Sequence, residues 1–334
     1  MSAHPSPSFS AAPHVWRGAQ GALFREDAPG AWGLFGDWVP YVLATRLRAL
    51  IELRWMRFPA AGQATLVASL LAKRSLPTPL VWRTVDAAAL ERERPAVEAA
   101  VLARLREVVP PALKAVFLAA ETFSEPRVVR QLAALGLDYV VRVAPDTEVF
   151  HATEGRRPAA AWTPESMRPG RVLDVRLTPE QIPVAALVCA KKGALHTPWC
   201  LATSLRSTPA KTVLDFAARL GGPAPELLSP EWLHRMGLAP AGPHPPGQRD
   251  RLVLLGALIA ELLTVLGAVG GSLGLSRPGA GPPPDKGGRT LFQQGCIYYQ
   301  ALPLMPGAQA RQLVAALQRH LDDKPAFREL LAAL

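Results

Sequence analysis

The chain has few cysteines and few acids relative to bases. Its 334 residues include only three cysteines, Cys189, Cys200 and Cys296, with no paired spacing. That argues against a disulfide framework and against a cysteine zinc site, and it fits a reducing, cytoplasmic setting. The first residues, Met1 to Pro13, are rich in Ser, Ala and Pro. They lack the basic start and continuous apolar core of a secretory signal, and their composition predicts disorder. No internal repeat is visible. The histidines His151, His196, His234 and His244 have no metal-ligand spacing with one another or with a cysteine. Ser69 and Ser204 lack the context of a nucleophile elbow. Trp82, Trp162 and Trp199 read as core anchors.

What is present is a large apolar content, 49% of residues, enough for one large domain or two ordinary ones. Lys and Arg number 37 against 27 Asp and Glu, a formal charge of +10. Such a balance suits an anionic partner, nucleic acid or a phospholipid surface, as well as a plain solvated exterior. Lys191-Lys192, in an expected hairpin, suits either a phosphate contact or a solvated turn. Leu252 to Leu275 is the one long apolar run, with Glu261 its only charge. Five glycines and that central acid favour a buried core helix over a membrane span.

Along the chain, Leu47 to Phe58, Ala64 to Leu71 and Thr78 to Val85 predict three strands with short links, an antiparallel meander. Leu90 to Val108 predicts a helix whose stripe is Val97, Val101, Leu105 and Val108, with Pro95 in its first regular turn. Its charge run, which includes Glu98, reads as the solvated side. Ala115 to Ala120 is strand-like, Ser124 to Gly136 helical, and Tyr139 to Val143 strand-like again. The short connections predict a parallel strand pair joined by a crossover helix. That order is the ribonuclease-H-like plan, an α/β mixed sheet flanked by helices. Short strand candidates then follow at Val149 to His151, Arg171 to Leu177, Val184 to Ala190 and Trp199 to Thr203, a β-rich insertion. Thr208 to Leu220 is helical in pattern. Beyond the Pro- and Gly-rich stretches at Ala239 to Gly247 and Pro278 to Gly288, which read as loops, helices dominate to the end, with Ala308 to Leu321 the last of them. The expected domains are a poorly ordered N-terminal remnant over 1–40, the first part of the ribonuclease-H-like domain over 41–146, the β-rich insertion over 147–206, and the helical remainder of the ribonuclease-H-like domain with C-terminal helices over 207–334.

Several phrases occur in an order that resembles the IS-four family of insertion-sequence transposases. They are Gln63-Ala64-Thr65-Leu66, Pro79 to Val85, Pro198-Trp199-Cys200-Leu201-Ala202-Thr203-Ser204, Arg249-Asp250-Arg251-Leu252 and Leu291-Phe292-Gln293-Gln294-Gly295-Cys296. The resemblance spans roughly Trp38 to Leu321. It implies a ribonuclease-H-like catalytic domain that cuts and joins DNA with two Mg or Mn ions held by an Asp, Asp, Glu triad. Hard divalent cations need such anionic oxygen ligands.

All three acid positions implied by the resemblance have changed. The first, in an Asp-Trp-Thr phrase, is Arg54 of Arg54-Trp55-Met56. A fixed positive charge there opposes a cation, at about 4 kcal/mol per unit-charge pair 4 Å apart in a surface-like dielectric. The second, in an Ala-Asp-Arg-Gly-Phe phrase, is Ala120 of Ala119-Ala120-Glu121-Thr122-Phe123. The third belongs to a helical signature of Tyr, Arg, Glu and Lys that falls, without a gap, on Phe216, Arg219, Pro223 and Pro230. Displaced substitutes are Glu52, Glu121 and Glu226, each within three residues of a lost acid. Glu52 shares a strand face with Arg54, Glu121 points opposite to Ala120, and Pro223 and Pro225 oppose a helix around Glu226.

The resemblance therefore implies an inactive remnant or a captured DNA-binding or protein-binding element, with no cofactor expected. Two alternatives stand beside it. One is an active metal-dependent transposase using Glu52, Glu121 and Glu226; the other is a non-catalytic modulator that pairs with an active relative. DNA, a second copy of the chain or a related transposase are the expected partners, and a membrane is not.

Overall fold

A computed structural model of the chain describes residues 30–44, 46–71, 77–120, 126–166, 168–177, 179–191, 198–222, 232–233, 244–275 and 290–332. Expectations for Met1 to Pro13, the Ser124 cap, Lys192, His196, His234 and the Pro278 to Gly288 loop lie outside these residues. Two compact units are distinguished, 42–224 and 1–41 with 225–334.

The first unit is built on one ten-stranded mixed sheet. Its strands are β1 (Arg48–Phe58), β2 (Gln63–Leu71), β3 (Thr78–Asp86), β4 (Lys114–Ala119), β5 (Asp138–Val143), β6 (Glu148–His151), β7 (Gly155–Pro158), β8 (Gly170–Leu177), β9 (Ile182–Ala190) and β10 (Trp199–Thr203), in the spatial order β3-β2-β1-β4-β5-β10-β9-β8-β6-β7. The expected meander is present, because β1, β2 and β3 pair antiparallel. The expected parallel pair is present as well, β4 beside β5, and β1 joins β4 in parallel. Gly62 makes the first reversal possible with a φ of 61°, a left-handed conformation that costs glycine little. Pro79, which cannot donate to a ladder, lies on β3 at the sheet's edge, opposite an irregularity at Ala68/Ser69.

The β-rich stretch extends this sheet and does not form a unit of its own. Antiparallel β10 pairs with β5 and carries β9, β8, β6 and β7 outward. The short edge strand β7, with exposed Arg156 and Arg157 and ending at Pro158, is poorly suited to pairing with another chain.

Helices flank the sheet on both faces, and alternation along the strands decides which residues meet them. On one face, Leu118, Val140, Val188 and Leu201 form a cluster with Val213 and Ala217 of a short helix, Ala210–Ala217. That helix was expected to run from Thr208 to Leu220, as part of the helical remainder of the sheet domain, and is shorter. The division between units falls at 224/225. Two further helices of this unit are Leu90–Val108 and Pro126–Ala134. The first starts at Leu90, so Pro95 sits inside it and not in its first turn.

The second unit is helical. Its long helix Pro246–Ser272 is apolar enough to cross a membrane by length and composition, and 72% of its most apolar window is buried within the protein. Gly247, expected in a loop, opens that helix. The helix packs closely on Leu291–Ala301, a helix capped at both hydrogen-bonding ends of a Thr290/Gln293 box. Gly307–Asp322 and Pro325–Ala332 follow; the last of these was not expected.

The 1–40 remnant also needs correction, since Ala31–Leu43 is a helix. Ala31, Phe35, Trp38 and Val39 are its buried stripe, at helical spacing. Two glycines and Pro40 in the segment obscured that period. Tyr41 fixes this helix within its unit by stacking on Phe327 at 4.8 Å and donating to Glu261 Oε1 at 2.8 Å. Burial, then the neighbouring Glu261 carboxylate, push the Tyr41 hydroxyl far above the usual phenol range.

Candidate functional site

The carboxyl ends of β1 and β4 place side by side Arg54 and Ala120, two of the positions where the resemblance would put an acid. The parallel register ends at Leu53 opposite Ala119, and Arg54 and Ala120 are the next residues on each strand. Val141 of β5 lies opposite Ala119, which sets Arg142 one step further along in the same row. The structure thus brings Arg54, Ala120 and Arg142 to one edge of the parallel strands.

Arg54 is engaged there on two sides. Its Nε and Nη2 donate to Glu52 Oε1 at 3.1 and 2.6 Å, and its Nη1 donates to the carbonyl of Gly222 at 3.0 Å. The backbone N–H of Gly221 reaches the same Glu52 oxygen at 3.4 Å. Glu52 and Arg54 share a strand face, as two residues apart on a strand must. Glu52 is buried, at 2% exposure, and this carboxylate is expensive to bury unless a partner offsets its lost hydration. The guanidinium supplies that partner. It also ties β1 to the turn after Ala210–Ala217, where Gly221 takes a φ of 75°. Pro223 follows that turn directly and, with Glu121 and Glu226, lies outside the described residues.

Beside this ion pair is a cleft of about 100 Å³ lined by Ala120, Arg142, Trp199, Ala217, Leu220 and Gly221. Trp199, half-buried, packs against the core cluster of the sheet and also walls the cleft, where the Arg142 guanidinium lies over its ring at 5.3 Å. Trp82 and Trp162 are buried as expected.

These residues do not fit a hard divalent cation. Ala120 offers no ligand atom, Arg54 brings positive charge, and the one nearby acid that is described is already bound by that charge. Among the described residues no three His, Cys, Asp or Glu side chains cluster as a metal would require. The Glu52, Glu121, Glu226 alternative also requires Glu52 to exchange its arginine for a metal.

The other residues singled out in the sequence have structural surroundings. Ser204 Oγ donates to Asp138 Oδ1 at 2.9 Å and accepts from the Tyr139 N–H at 3.0 Å, which fastens β10 to β5. His151 packs edge-on to Trp162 and is within hydrogen-bond distance of Thr153 Oγ1, 3.2 Å. Lys191 Nζ donates to the carbonyl of Glu165 at 3.0 Å.

Sequence reasoning missed Glu98. It is 1% exposed, where the charge run predicted solvent. It accepts from Trp55 Nε1 at 3.0 Å, Arg94 Nε at 2.9 Å and Arg127 Nη2 at 2.7 Å, joining β1 to two helices. Its place in the stripe was readable, because Glu98 neighbours Val97 and lies three before Val101.

No protein-family model matches the chain, and no curated protein matches it significantly.

Proposed function

We propose that this chain is a transposase-lineage protein of the ribonuclease-H-like type that has lost strand-cutting chemistry and acts through binding. The strand order β3-β2-β1-β4-β5, antiparallel through the first three and parallel through the rest, supports the fold. The phrases that resemble the IS-four transposases support the lineage. The observation that carries the loss of chemistry is the Arg54–Glu52 pair: a guanidinium occupies the strand end where the resembling enzymes hold a metal, and Ala120 stands next to it. The net charge of +10 supports DNA as the bound partner.

Incubation of the full chain with supercoiled plasmid in Mg or Mn is the test of lost chemistry. The expected result is no nicking above a protein-free control, in the original chain and in Glu121→Ala alike. Nicking by the original chain that disappears in Glu121→Ala would establish displaced acids as catalytic and overturn the reading.

A further inference from the structure

Cys189 and Cys200 lie directly opposite one another on the adjacent antiparallel strands β9 and β10. Both are reduced thiols outside any disulfide, 1% and 0% exposed. Directly opposed residues of an antiparallel pair have Cα atoms about 4.5–5.5 Å apart, inside the window of about 4.4–6.8 Å that a disulfide spans. Side chains opposed in this way leave the same face of the sheet, so the two sulfurs need no strand to rotate or slip in order to meet. The thiols also interact with each other, and Cys189 Sγ donates to the carbonyl of Ala159 at 3.5 Å. That carbonyl belongs to the short turn Ala159–Trp162, which covers the pair.

We propose that Cys189 and Cys200 are a redox-sensitive pair that closes to a cross-strand disulfide when a peroxide or a small-molecule disulfide is present. Two S–H bonds break and one S–S bond forms. The two electrons and two protons pass to the oxidant, so that a peroxide leaves as two waters and a disulfide as two thiols. The new bond joins β9 to β10 beside Trp199, which lines the cleft one residue before Cys200. It therefore fixes β9 to β10, one strand beyond the junction of β10 with the parallel strand β5.

Burial sets the rate. The thiolate is the attacking species, and the Cys200 hydrogen bond, followed by burial, pushes the Cys189 thiol far above the usual thiol range. Oxidation is accordingly slow while the sheet is closed and proceeds through local opening of the β9–β10 pair. Cys296, a buried thiol in the other unit that burial pushes up to about 12, is the internal comparison.

The test uses the reduced full chain, treated with hydrogen peroxide or oxidised glutathione without denaturant and analysed by intact mass and non-reducing peptide mapping. The expected product is a monomer that has lost two hydrogens, with Cys189 and Cys200 in one cross-linked peptide pair. Its Tm is higher by several degrees, and dithiothreitol reverses both changes. Cys296→Ala is expected to leave this product unchanged, and Cys200→Ser to abolish it. Cross-linking only in denaturant, addition of oxygen to either sulfur, a link through Cys296 or no reaction would each overturn the proposal. Should Cys200→Ser fail to fold, the map of the unsubstituted chain decides.

Discussion

At the scale of single residues, two buried acids show how a charge is held inside this sheet. Glu52 is matched by one arginine and a backbone N–H, and Glu98 by two arginines and an indole. Removing one side of a buried pair leaves the other uncompensated, at about 3–5 kcal/mol. Arg94 and Arg127 keep 23% and 27% of their side chains in water, so Glu98→Ala is expected near the low end, about 3 kcal/mol, measured by urea unfolding. A loss under about 1 kcal/mol would mean that the three donors find water instead. The same residues show where the sequence was legible. Arg54 and Ala120 were readable as neighbours at the ends of two strands, because the apolar runs before them mark where β1 and β4 lead. Glu98 was not, because a buried glutamate with long-range partners looks, in a one-dimensional charge pattern, like any other glutamate on a solvated helix. Its partners Trp55 and Arg127 are 43 and 29 residues away.

At the scale of elements, the strands were legible and the helix contacts were not. Strand alternation and the turn chemistry at Gly62 act over a few residues, so β1 to β5 appear in the sequence nearly at their observed ends. The glycines of Pro246–Ser272 read only as an argument against a membrane span. In the structure two of them, Gly267 and Gly270, are the contact surface with Leu291–Ala301. A Cβ on Gly267 would lie 1.9 Å from the Leu291 carbonyl oxygen, and one on Gly295 would lie 1.7 Å from that of Leu263. Backbone cannot yield as a side chain can, so the two helices would have to separate. Gly295→Ala is expected to destabilise at or above the upper end of the about 1–3 kcal/mol typical of overpacking. Gly271→Ala is the contrast, because its Cβ would meet only the Gln294 side-chain oxygen at 3.6 Å. There the better helix propensity of alanine is expected to leave stability unchanged or raise it by about 0.5–1 kcal/mol. Thermal unfolding of the two variants beside the original chain measures the difference. Equal effects would show that the close approach does not govern the packing.

At the scale of the whole molecule, the apolar framework and the strand end that carries Arg54 and Ala120 have to be explained together. The sheet is continuous over ten strands, and buried residues run from Ile51 on β1 to Cys200 on β10. Where carboxylates would be needed, there is an internal ion pair that closes a turn onto the sheet. An arginine that completes a buried network stabilises the fold that a lone buried glutamate would weaken, so the proposed loss of a metal site is compatible with an intact framework. On the proposed reading, function rests on surface, and the formal charge of +10 makes duplex DNA the partner to measure. Binding through phosphates releases counterions, with a slope of log K against log salt of about −0.9 per phosphate contacted. Five contacts would lower affinity about 500-fold between 50 and 200 mM salt. Fluorescence anisotropy with a labelled duplex is expected to show that steep dependence and little preference among sequences, because phosphate contacts do not read bases. A salt-independent affinity, or none at 50 mM, would separate the charge from the function and leave the protein-binding role of the altered fold as the reading to pursue.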